Sequence, residues 1–430
     1  METGLVVAIV LAVALVLSMP ISMALGMAAL VGILTLSPNF LVFIPQKFIA
    51  GIDSFTLLAI PLFILAGTIM GYGGIARRIV NLAMVFVGRL RGGLGMVSVL
   101  STMFFSGVCG SASADTAAIG SVTIPAMKDK KYPPAFATAI VASAGGTSQL
   151  VPPSIDLIII GVVANISIGG LFAAGFLPGA VNALALMGLV YYYARKLDLP
   201  LEPRIAFLEK LRLIWDGVLA VLMAVIILGG ILGGVFTPTE ASAVAVVYGF
   251  VVSFFVYKEL KLEDIPKVLL RTCELTGMVL LVLGMASVFS FILTFERIPH
   301  AIAQAITDFS DNWIVFVLLV NVVFLLLGMV MDALPALIIL MPILVPVGLS
   351  LGMEPIHLGI LVQANVGLSL ITPPVGVCLY VACGLSKQPM EAVVRALVPF
   401  YLILVVTMLV ISYVPEISLF IPRQLGYLDR

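Results

Sequence analysis

The chain has 430 residues, of which 62% are hydrophobic and 10% are charged, and its mean hydropathy is +1.24. A chain of this composition has too few polar residues to cover a surface in water, so we expect it to lie in a lipid bilayer. Its formal net charge of zero argues against a nucleic-acid partner, because phosphate binding needs a basic excess. The four cysteines lie in apolar stretches without metal-ligand spacing and are expected to be buried and unpaired. They are Cys109, Cys273, Cys378 and Cys383.

The first half of the chain is a series of apolar segments. The N-terminus has no basic n-region and continues into more hydrophobic sequence, which indicates a retained span and not a cleaved signal. In chain order, we predict crossings at about 4–18, 20–36 and 55–73, an interfacial stretch at about 75–90, a hairpin at about 93–127, a broken helix at about 133–163 and a crossing at about 170–194. Residues 4–36 also fit one long tilted helix.

The second half repeats this order. We predict crossings at about 217–235, 238–257 and 276–295, an amphipathic stretch at about 298–311, a hairpin at about 313–350, a broken helix at about 355–385 and a crossing at about 391–414. The chain therefore divides into a first unit at 1–196, a cytoplasmic linker at 197–214, a second unit at 215–416 and a C-terminal tail at 417–430.

The two units share a motif that interrupts a hydrophobic helix. The first copy is Gly-Thr-Ser-Gln-Leu-Val-Pro-Pro at 146–153, and the second is Gly-Leu-Ser-Leu-Ile-Thr-Pro-Pro at 367–374, an offset of 221 residues. Asp115 recurs as Asp332 at an offset of 217. Duplication of this kind is typical of membrane transporters, and an odd number of crossings per copy predicts that the second copy is inverted relative to the first.

The basic residues indicate which side each loop occupies, because cytoplasmic loops are enriched in lysine and arginine. Basic residues flank both ends of the first hairpin, whereas the second hairpin has none at either end. The loops at 195–212 and 258–271 are also basic. The pattern therefore predicts a first hairpin that enters from the cytoplasm, a second hairpin that enters from the opposite side, and both termini on that opposite side.

Each Pro-Pro pair divides a helix into two halves, because proline removes a backbone donor and disfavours helix in the residue before it. The pairs lie at 152–153 and 373–374. Unpaired carbonyl groups are costly in hydrocarbon, so we expect this non-helical backbone to line a cavity or hold an ion. A simple kink is the alternative, and it explains the duplication and the hydroxyl-bearing neighbours less well.

The segment from Ser106 to Gly120 is too small and too polar for a straight span, and we predict that it is the tip of a re-entrant hairpin. The carbonyl groups around Gly107 and Gly110 could replace the water shell of a sodium ion. A half-helix that starts near Ser113 would direct its N-terminus at an anionic substrate. Close helix packing is the alternative role of the small residues. The hydroxyl groups available to an ion are those of Ser106, Ser111, Ser113 and Thr116.

Asp115 and Asp332 lie within the predicted hairpins. Acidic residues inside a membrane are functional as a rule, but an aspartate at the start of a half-helix is also a common N-cap, and both interpretations stay open. His300 and His357 lie near loops, which favours an interfacial position. The sequence has no nucleophile elbow, Walker lysine, HExxH motif or paired metal ligands, so we do not expect an enzyme.

Six stretches resemble the large membrane subunit of tripartite ATP-independent periplasmic (TRAP) transporters, the DctM-like permease. They follow the family order and are specific when taken together. The resemblance implies an all-α polytopic membrane protein with two inverted repeats, acting as an elevator-type, sodium-driven importer in the bacterial inner membrane with periplasmic termini. The stretches are Ala59–Gly67, Ser106–Gly120, Val151–Ile155, Ser167–Phe172, Thr237–Ala241 and Leu370–Gly376.

The resemblance also implies two sodium sites with the substrate between them. Each site would lie where a hairpin tip meets a Pro-Pro break, and the second tip has few hydroxyl groups, so carbonyl groups are expected to carry more of its coordination. The residues expected to hold sodium are Ser106, Gly107, Gly110, Ser148, Pro152, Gly328, Asp332, Thr372, Pro373 and Gly376. Those expected at the substrate are Ser111, Ser113, Asp115, Thr116, Pro153, Ser154 and Pro374.

The partners that the resemblance implies are a small four-helix membrane subunit (DctQ-like) and a periplasmic substrate-binding protein (DctP-like). The implied substrate is an organic acid, such as a C4-dicarboxylate, sialic acid or a related sugar acid, and the coupling ion is sodium, with no organic cofactor. The alternative is a stand-alone sodium/carboxylate symporter of similar hairpin architecture, which needs neither a receptor nor a small subunit.

Overall fold

The computed structural model describes residues 2–17, 19–201, 205–298, 301, 304, 312–329 and 333–428. These residues form nineteen α-helices, and they contain no β-strand. The helices of the first half are α1 (Glu2–Val16), α2 (Ile21–Leu36), α3 (Phe43–Ile52), α4 (Ala59–Tyr72), α5 (Ile75–Val87), α6 (Gly93–Cys109), α7 (Ala112–Asp129), α8 (Pro134–Ser148), α9 (Ile155–Ala164) and α10 (Ile168–Lys196).

The helices of the second half follow a similar order. They are α11 (Phe207–Leu232), α12 (Pro238–Val251), α13 (Ile265–Phe295), α14 (Trp313–Gly328), α15 (Ala333–Ser350), α16 (Pro355–Ser369), α17 (Val377–Ser386), α18 (Met390–Tyr413) and α19 (Glu416–Gln424). A π-helical turn extends α12 to Val256. The predicted amphipathic stretch at 298–311 lies largely outside the described residues, as does His300.

Six of the described helices are long and apolar enough to span a bilayer. They are Phe55–Tyr72, Ile168–Lys196, Phe207–Leu232, Pro238–Val256, Leu262–Phe295 and Met390–Tyr413. Large apolar side chains point outward from these helices, among them Leu211, Trp215 and Leu222 of α11. Such a surface would be unstable in water and is favourable in lipid. The chain is therefore an all-α polytopic membrane protein, as the resemblance implied, and it lies in a bilayer as its composition predicted.

The structure decides one question that the sequence left open. Residues 4–36 form two helices, α1 and α2, which end and begin around Pro20 and pack against each other. No helix was predicted for residues 38–52, where a 3-10 turn leads into α3. At ten residues, α3 is too short to cross a bilayer, so its sequence lacks the long apolar run that marks a membrane span.

Three further details were not predicted from the sequence. In the first half, α3 ends at its C-cap residue Asp53 and a separate helix makes the next crossing, whereas in the second half the single helix α13 runs without interruption over 31 residues. His357 is buried within the protein, where its ring nitrogens contact the side chain of Ser418 at 2.7 Å and the carbonyl oxygen of Ser412 at 3.2 Å. Cys273 is exposed, although its thiol is unpaired as expected.

The hairpins and the broken helices pack together as one group. Within it, α7 contacts α8 and α17, α16 contacts α14 and α15, and α9 contacts α15. A second group contains α1 to α4 and α11 to α13, and in it α13 contacts α2, α3 and α4. We call the first group the hairpin group and the second the α13 group. Two cavities are lined by helices of both groups.

The two broken helices cross at a pair of glycines. A Cβ atom placed on Gly146 of α8 would lie 2.7 Å from the carbonyl oxygen of Gly367 of α16, and one placed on Gly367 would lie 2.8 Å from the carbonyl oxygen of Gly146. Only glycine permits so close an approach of two helix backbones. The contact is reciprocal and joins residues at the 221-residue offset, as a two-fold relation between the halves would require.

Candidate functional site

The tip of the first hairpin is a tight turn between α6 and α7. Gly110 has a φ of +65°, in the left-handed region that favours glycine, and Ser111 occupies the N-cap position of α7. A Cβ atom on Gly110 would lie 2.8 Å from the carbonyl oxygen of Pro153. The backbone N–H of Ile155 donates to the carbonyl oxygen of Gly110 at 3.2 Å. The tip therefore packs directly on the first Pro-Pro break.

The break itself separates α8, which ends at Ser148, from α9, which begins at Ile155. The regular helix ladder stops in this segment, although the carbonyl oxygen of Ser148 still accepts from the backbone N–H of Val151 at 2.9 Å. A side chain of the hairpin contacts two carbonyl oxygens of the segment. The hydroxyl group of Ser106 donates to the carbonyl oxygen of Ser148 at 2.8 Å and lies 3.5 Å from that of Val151. Ser106 thus joins the hairpin to the non-helical backbone, and both Ser106 and Ser148 are fully buried.

Asp115 is fully buried beside this break. Its Oδ2 atom accepts a hydrogen bond from the hydroxyl group of Ser148 at 2.7 Å, and its Oδ1 atom is buried without a hydrogen-bond partner among the described residues. Asp115 is the fourth residue of α7, and Ser111 holds the N-cap position. The N-cap position of α7 thus belongs to Ser111, and the carboxylate of Asp115 contacts another helix instead.

Buried oxygen atoms at the contact between the hairpin tip and the break are of the kind that binds a sodium ion. The unpartnered Oδ1 atom is one candidate ligand, and the hydroxyl oxygen of Ser154 is a second buried oxygen without a partner among the described residues. The carbonyl groups of Ser148 and Val151 lie nearby through their contacts with Ser106. Hard cations take oxygen ligands, and unwound carbonyl groups of discontinuous helices are a typical source of them.

A cavity of about 730 Å³ lies beside the hairpin tip. On the side of the hairpin group, its polar lining comes from Ser111 and Ser113 at the N-terminus of α7 and from Gln149 and Asp156 at the break. The two serine hydroxyl oxygens lie 3.4 Å apart. The opposite wall belongs to the α13 group and contains Gly67, Thr68, Gly71 and Tyr72 of α4 and Arg271, Leu275 and Met278 of α13.

A buried polar cluster supports one side of this cavity. Gln363 of α16 directs its side-chain nitrogen at Oδ2 of Asp156 at 3.3 Å and at Oε1 of Gln149 at 3.5 Å. None of these residues was predicted from the sequence, because Asp156 could equally have lain at a membrane surface or in a helix contact. Polar residues in apolar helix stretches next to the Pro-Pro break were the available signal.

The second hairpin and second break also meet. Gly328, the last residue of α14, lies directly against the side chain of Ser369, the last residue of α16. Ser369 corresponds to Ser148 at the 221-residue offset. This correspondence is the sequence signal from which Ser369 could have been predicted as a site residue. The hydroxyl group of Thr372 donates to the carbonyl oxygen of Leu368 at 2.8 Å, and Gly376 has a positive φ of +25°. Asp332 lies outside the described residues.

The structure separates the residues that were expected to contact the substrate. Ser111 and Ser113 line the cavity, whereas the lining does not include Asp115, Thr116, Pro153, Ser154 or Pro374. The Thr116 hydroxyl donates to the carbonyl oxygen of Ala112 at 2.7 Å, and the side chain packs against Gly145. Two of the residues expected at the first sodium site, Gly107 and Pro152, lie close together. A Cβ atom placed on Gly107 would lie 3.5 Å from the carbonyl oxygen of Pro152. Pro373 is half-buried in the second break.

A buried polar site where a hairpin tip meets a broken helix, inside a chain of many membrane spans, defines a transporter permease. The family model of the tripartite ATP-independent periplasmic transporter, DctM component, matches residues 8–417. The chain therefore belongs to the DctM family of TRAP transporter large permeases, as the resemblance indicated. The family consists of transport proteins and not of enzymes.

Several curated relatives are similar over nearly the whole chain. The C4-dicarboxylate TRAP transporter large permease protein DctM of Pseudomonas aeruginosa is 41% identical over 394 residues, which cover 92% of each chain. The sialic acid TRAP transporter large permease protein SiaM of Vibrio cholerae is 36% identical and is matched over 94% of its length. The isethionate TRAP transporter permease protein DctMQ of Oleidesulfovibrio alaskensis is 39% identical and longer, since the match covers 62% of it.

Solved structures share the fold at low sequence identity. The YdaH transporter of Alcanivorax borkumensis superposes with a TM-score of 0.60 at 16% identity, over 88% of this chain and 89% of the other. MtrF of Neisseria gonorrhoeae, described as one of a class of antimetabolite efflux pumps, gives the same TM-score and identity. These structures show a likeness of fold alone.

Proposed function

We propose that this chain is the membrane permease subunit of a sodium-coupled importer of small organic acids that depends on a periplasmic receptor and works by an elevator mechanism. The observation that carries the proposal is the position of Asp115. An unpartnered carboxylate oxygen lies where the first hairpin tip meets the first break, next to a cavity with an α7 N-terminus in its wall. A cation and an anion can thus bind side by side.

The sodium ion would be held by oxygen atoms of the hairpin group. Asp115 would supply a carboxylate oxygen and Ser154 a hydroxyl oxygen, while the break would supply carbonyl groups. The ion would neutralise a buried carboxylate, which is otherwise costly in an apolar interior. We propose a second sodium site at the corresponding contact between Gly328 and Ser369, with Thr372 as a further oxygen source.

The substrate anion would lie in the cavity at Ser111 and Ser113. Backbone N–H groups in the first turn of α7 are directed outward from the helix end, and a helix N-terminus favours negative charge. A bound sodium ion nearby would add to this attraction, so the two ligands would bind cooperatively. The substrates in the relatives' names are all anionic at neutral pH, and we extend that class to this chain.

The direction in which the cavity opens supports alternating access. Its α13-group wall includes Tyr72 and Arg271, and the basic loops assign this end of the molecule to the cytoplasm. The described conformation would then face inward. Movement of the hairpin group along the α13 group would carry the bound ligands to the other side.

Contacts between distant segments support the proposed topology. Arg78 pairs with Glu259 at 2.7 Å, and Lys128 donates to the carbonyl oxygen of Ser386 at 2.6 Å. Each contact joins two segments that the charge pattern assigns to the cytoplasm. The contact between His357 and Ser418 at 2.7 Å joins two segments that the charge pattern assigns to the periplasm. We therefore propose an inner-membrane protein with both termini in the periplasm, and a small DctQ-like subunit and a DctP-like receptor as its partners.

The test is uptake of labelled acids into proteoliposomes that contain this chain and its small subunit. Succinate, sialic acid and isethionate would be offered with and without a sodium gradient and with and without the receptor. We expect uptake only when both are present. Uptake without the receptor would favour a stand-alone sodium/carboxylate symporter, and receptor-dependent uptake that ignores sodium would refute the ion sites.

A further inference from the structure

A second cavity, of about 450 Å³, lies between the two helix groups at the other end of the molecule. On one side it is lined by α3 and by the C-terminal half of α13, and on the other by Val162 and Val163 of α9 and by Ile338 and Pro342 of α15. The ends of α9 and α15 that follow these residues have no basic flanks. The charge pattern therefore places this cavity at the periplasmic end.

The wall of this periplasmic cavity is polar on the α13 side only. Lys47 of α3 is the one charged side chain among the described lining residues, and it lies with the hydroxyl-bearing Ser54, Ser287, Ser290 and Thr294. The opposite wall is apolar. An ammonium group among hydroxyl donors suits the oxygen atoms of an anion, and its positive charge disfavours a cation there.

Lys47 has no acidic partner in the part of the chain that the structure describes. Its Nζ atom lies 5.1 Å from the centre of the Phe291 ring, and the described ion pairs do not include it. A lysine near a membrane commonly pairs with a carboxylate or extends its ammonium group to the lipid headgroups at the surface. A half-buried lysine that rests on an aromatic ring inside a cavity is available to a ligand.

One helix lines both cavities. Arg271, Leu275 and Met278 of α13 face the cytoplasmic cavity, and Ser290 and Thr294 of the same helix face the periplasmic one. Within each set the spacing of three or four residues keeps the positions on one face of the helix, and at about 100° per residue the two sets point to different sides of it. At 1.5 Å per residue, Leu275 and Ser290 are about 22 Å apart along the helix axis. The helix α13 thus lines a cytoplasmic cavity that contains the cationic side chain of Arg271 and a periplasmic cavity that contains that of Lys47 of α3.

We propose that the periplasmic cavity is an entry subsite, at which Lys47 and the hydroxyl groups of Ser287 and Ser290 bind the acidic group of the substrate before the hairpin group receives it. The subsite rests on the proposed function, because it needs an anionic organic acid that arrives from the periplasm. It belongs to the α13 group, so it would stay in place while the hairpin group moves. The subsite would raise the local substrate concentration at the entrance and would leave the substrate–sodium site itself unchanged.

The first experiment measures anion attraction without any need for transport. Ser290→Cys, made in a chain with Cys273→Ser, is treated from the periplasmic side with two methanethiosulfonate reagents of similar size, one carrying a sulfonate and one a quaternary ammonium group. We expect the sulfonate reagent to be favoured, and we expect Lys47→Gln to lower the ratio of the two rates about three- to tenfold, because one cationic charge is removed from a confined site. Lys47→Arg should keep the ratio, and the exposed Lys267→Gln is the matched control.

The second experiment measures uptake of whichever of the labelled acids succinate, sialic acid and isethionate the wild-type complex transports. Lys47→Gln should raise the substrate concentration for half-maximal uptake about three- to tenfold, with little change in the maximal rate or in the sodium dependence. A changed dependence on receptor concentration, at unchanged substrate dependence, would show that Lys47 contacts the receptor and would overturn the subsite.

The two experiments separate the subsite from the proposed function. If the reagent ratio is the same with Lys47→Gln as with wild-type lysine, the anion subsite is refuted even when transport is normal. If the ratio falls but the uptake kinetics of Lys47→Gln match the wild type, the cavity binds anions and has no role in entry. If no acid is taken up by the wild-type complex, the proposed substrate class fails, while the ratio still decides whether the cavity attracts anions.

Discussion

Replacement of Asp115 by asparagine tests the proposed cation site directly. Asparagine has nearly the shape of aspartate and keeps an acceptor for the hydroxyl group of Ser148, which lies 2.7 Å from Oδ2. The change therefore removes the negative charge and leaves the packing nearly intact. If Asp115 holds the coupling ion, the sodium dependence of transport must change more than the amount of folded protein.

The size of the effect follows from the charge. Two unit charges about 4 Å apart at an effective dielectric constant near 20 interact by about 4 kcal/mol. The amide oxygen of asparagine would retain part of this, so we expect a loss of about 3 kcal/mol, which is roughly a hundredfold in affinity. Uptake at saturating substrate should then reach half its maximum at a sodium concentration about a hundredfold higher than for the wild type.

The assay is initial uptake into proteoliposomes over a range of external sodium concentrations, with a melting curve of each purified variant. Asp156→Asn is the matched control, because Asp156 is also a buried acid but lies in the cavity wall with Gln363. We expect the control to change substrate dependence and to leave sodium dependence as it was. A sodium midpoint for Asp115→Asn within about threefold of the wild type would refute the assignment of Asp115 as a sodium ligand.

Two further predictions concern packing. Gly146→Val should destabilise the protein by several kcal/mol and abolish transport, because its Cβ would lie 2.7 Å from the carbonyl oxygen of Gly367. Gly188→Val is the control, because a Cβ atom there meets nothing within 4 Å, and it should keep the wild-type melting temperature. Equal melting temperatures for the two variants would contradict the helix crossing at Gly146. His357→Ala removes the hydrogen bond to Ser418 and should destabilise the packing of the C-terminal helix by about 1–3 kcal/mol. The measurement is hydrogen exchange in residues 416–424, which should become faster. Unchanged exchange there would show that the histidine does not hold this helix.

The sequence by itself determined the class of protein and the positions of its discontinuities. Hydrophobic composition requires lipid around the chain, since apolar side chains of this number cannot all be buried in a water-soluble fold. Proline and glycine act locally, so the break near Pro152 and the turn at Gly110 follow from backbone chemistry alone. The duplicated motif and the stretches that resemble the DctM-like permeases are also local features, and they were sufficient to indicate the family.

Tertiary structure decided what each polar residue contacts. Asp115 could cap its own helix or meet a neighbour, and only the packing of α7 against α8 brings Ser148 to its carboxylate. Asp156 and Gln363 are 207 residues apart in the chain and meet through the contact of the two broken helices. No local rule predicts such pairs, because a sequence specifies spacing along one helix but not the rotation and depth of the helix that packs against it.

The short helices and the cavities were likewise beyond the sequence. The hydrophobic pattern of residues 38–52 is too short to distinguish a helix from a loop, and α3 is fixed by its packing against α13. Lys47 lies in a cavity wall only because α3 and α13 meet. Local chemistry thus set where the backbone bends and which segments enter the membrane, and the long-range packing of those segments set which side chains face a ligand.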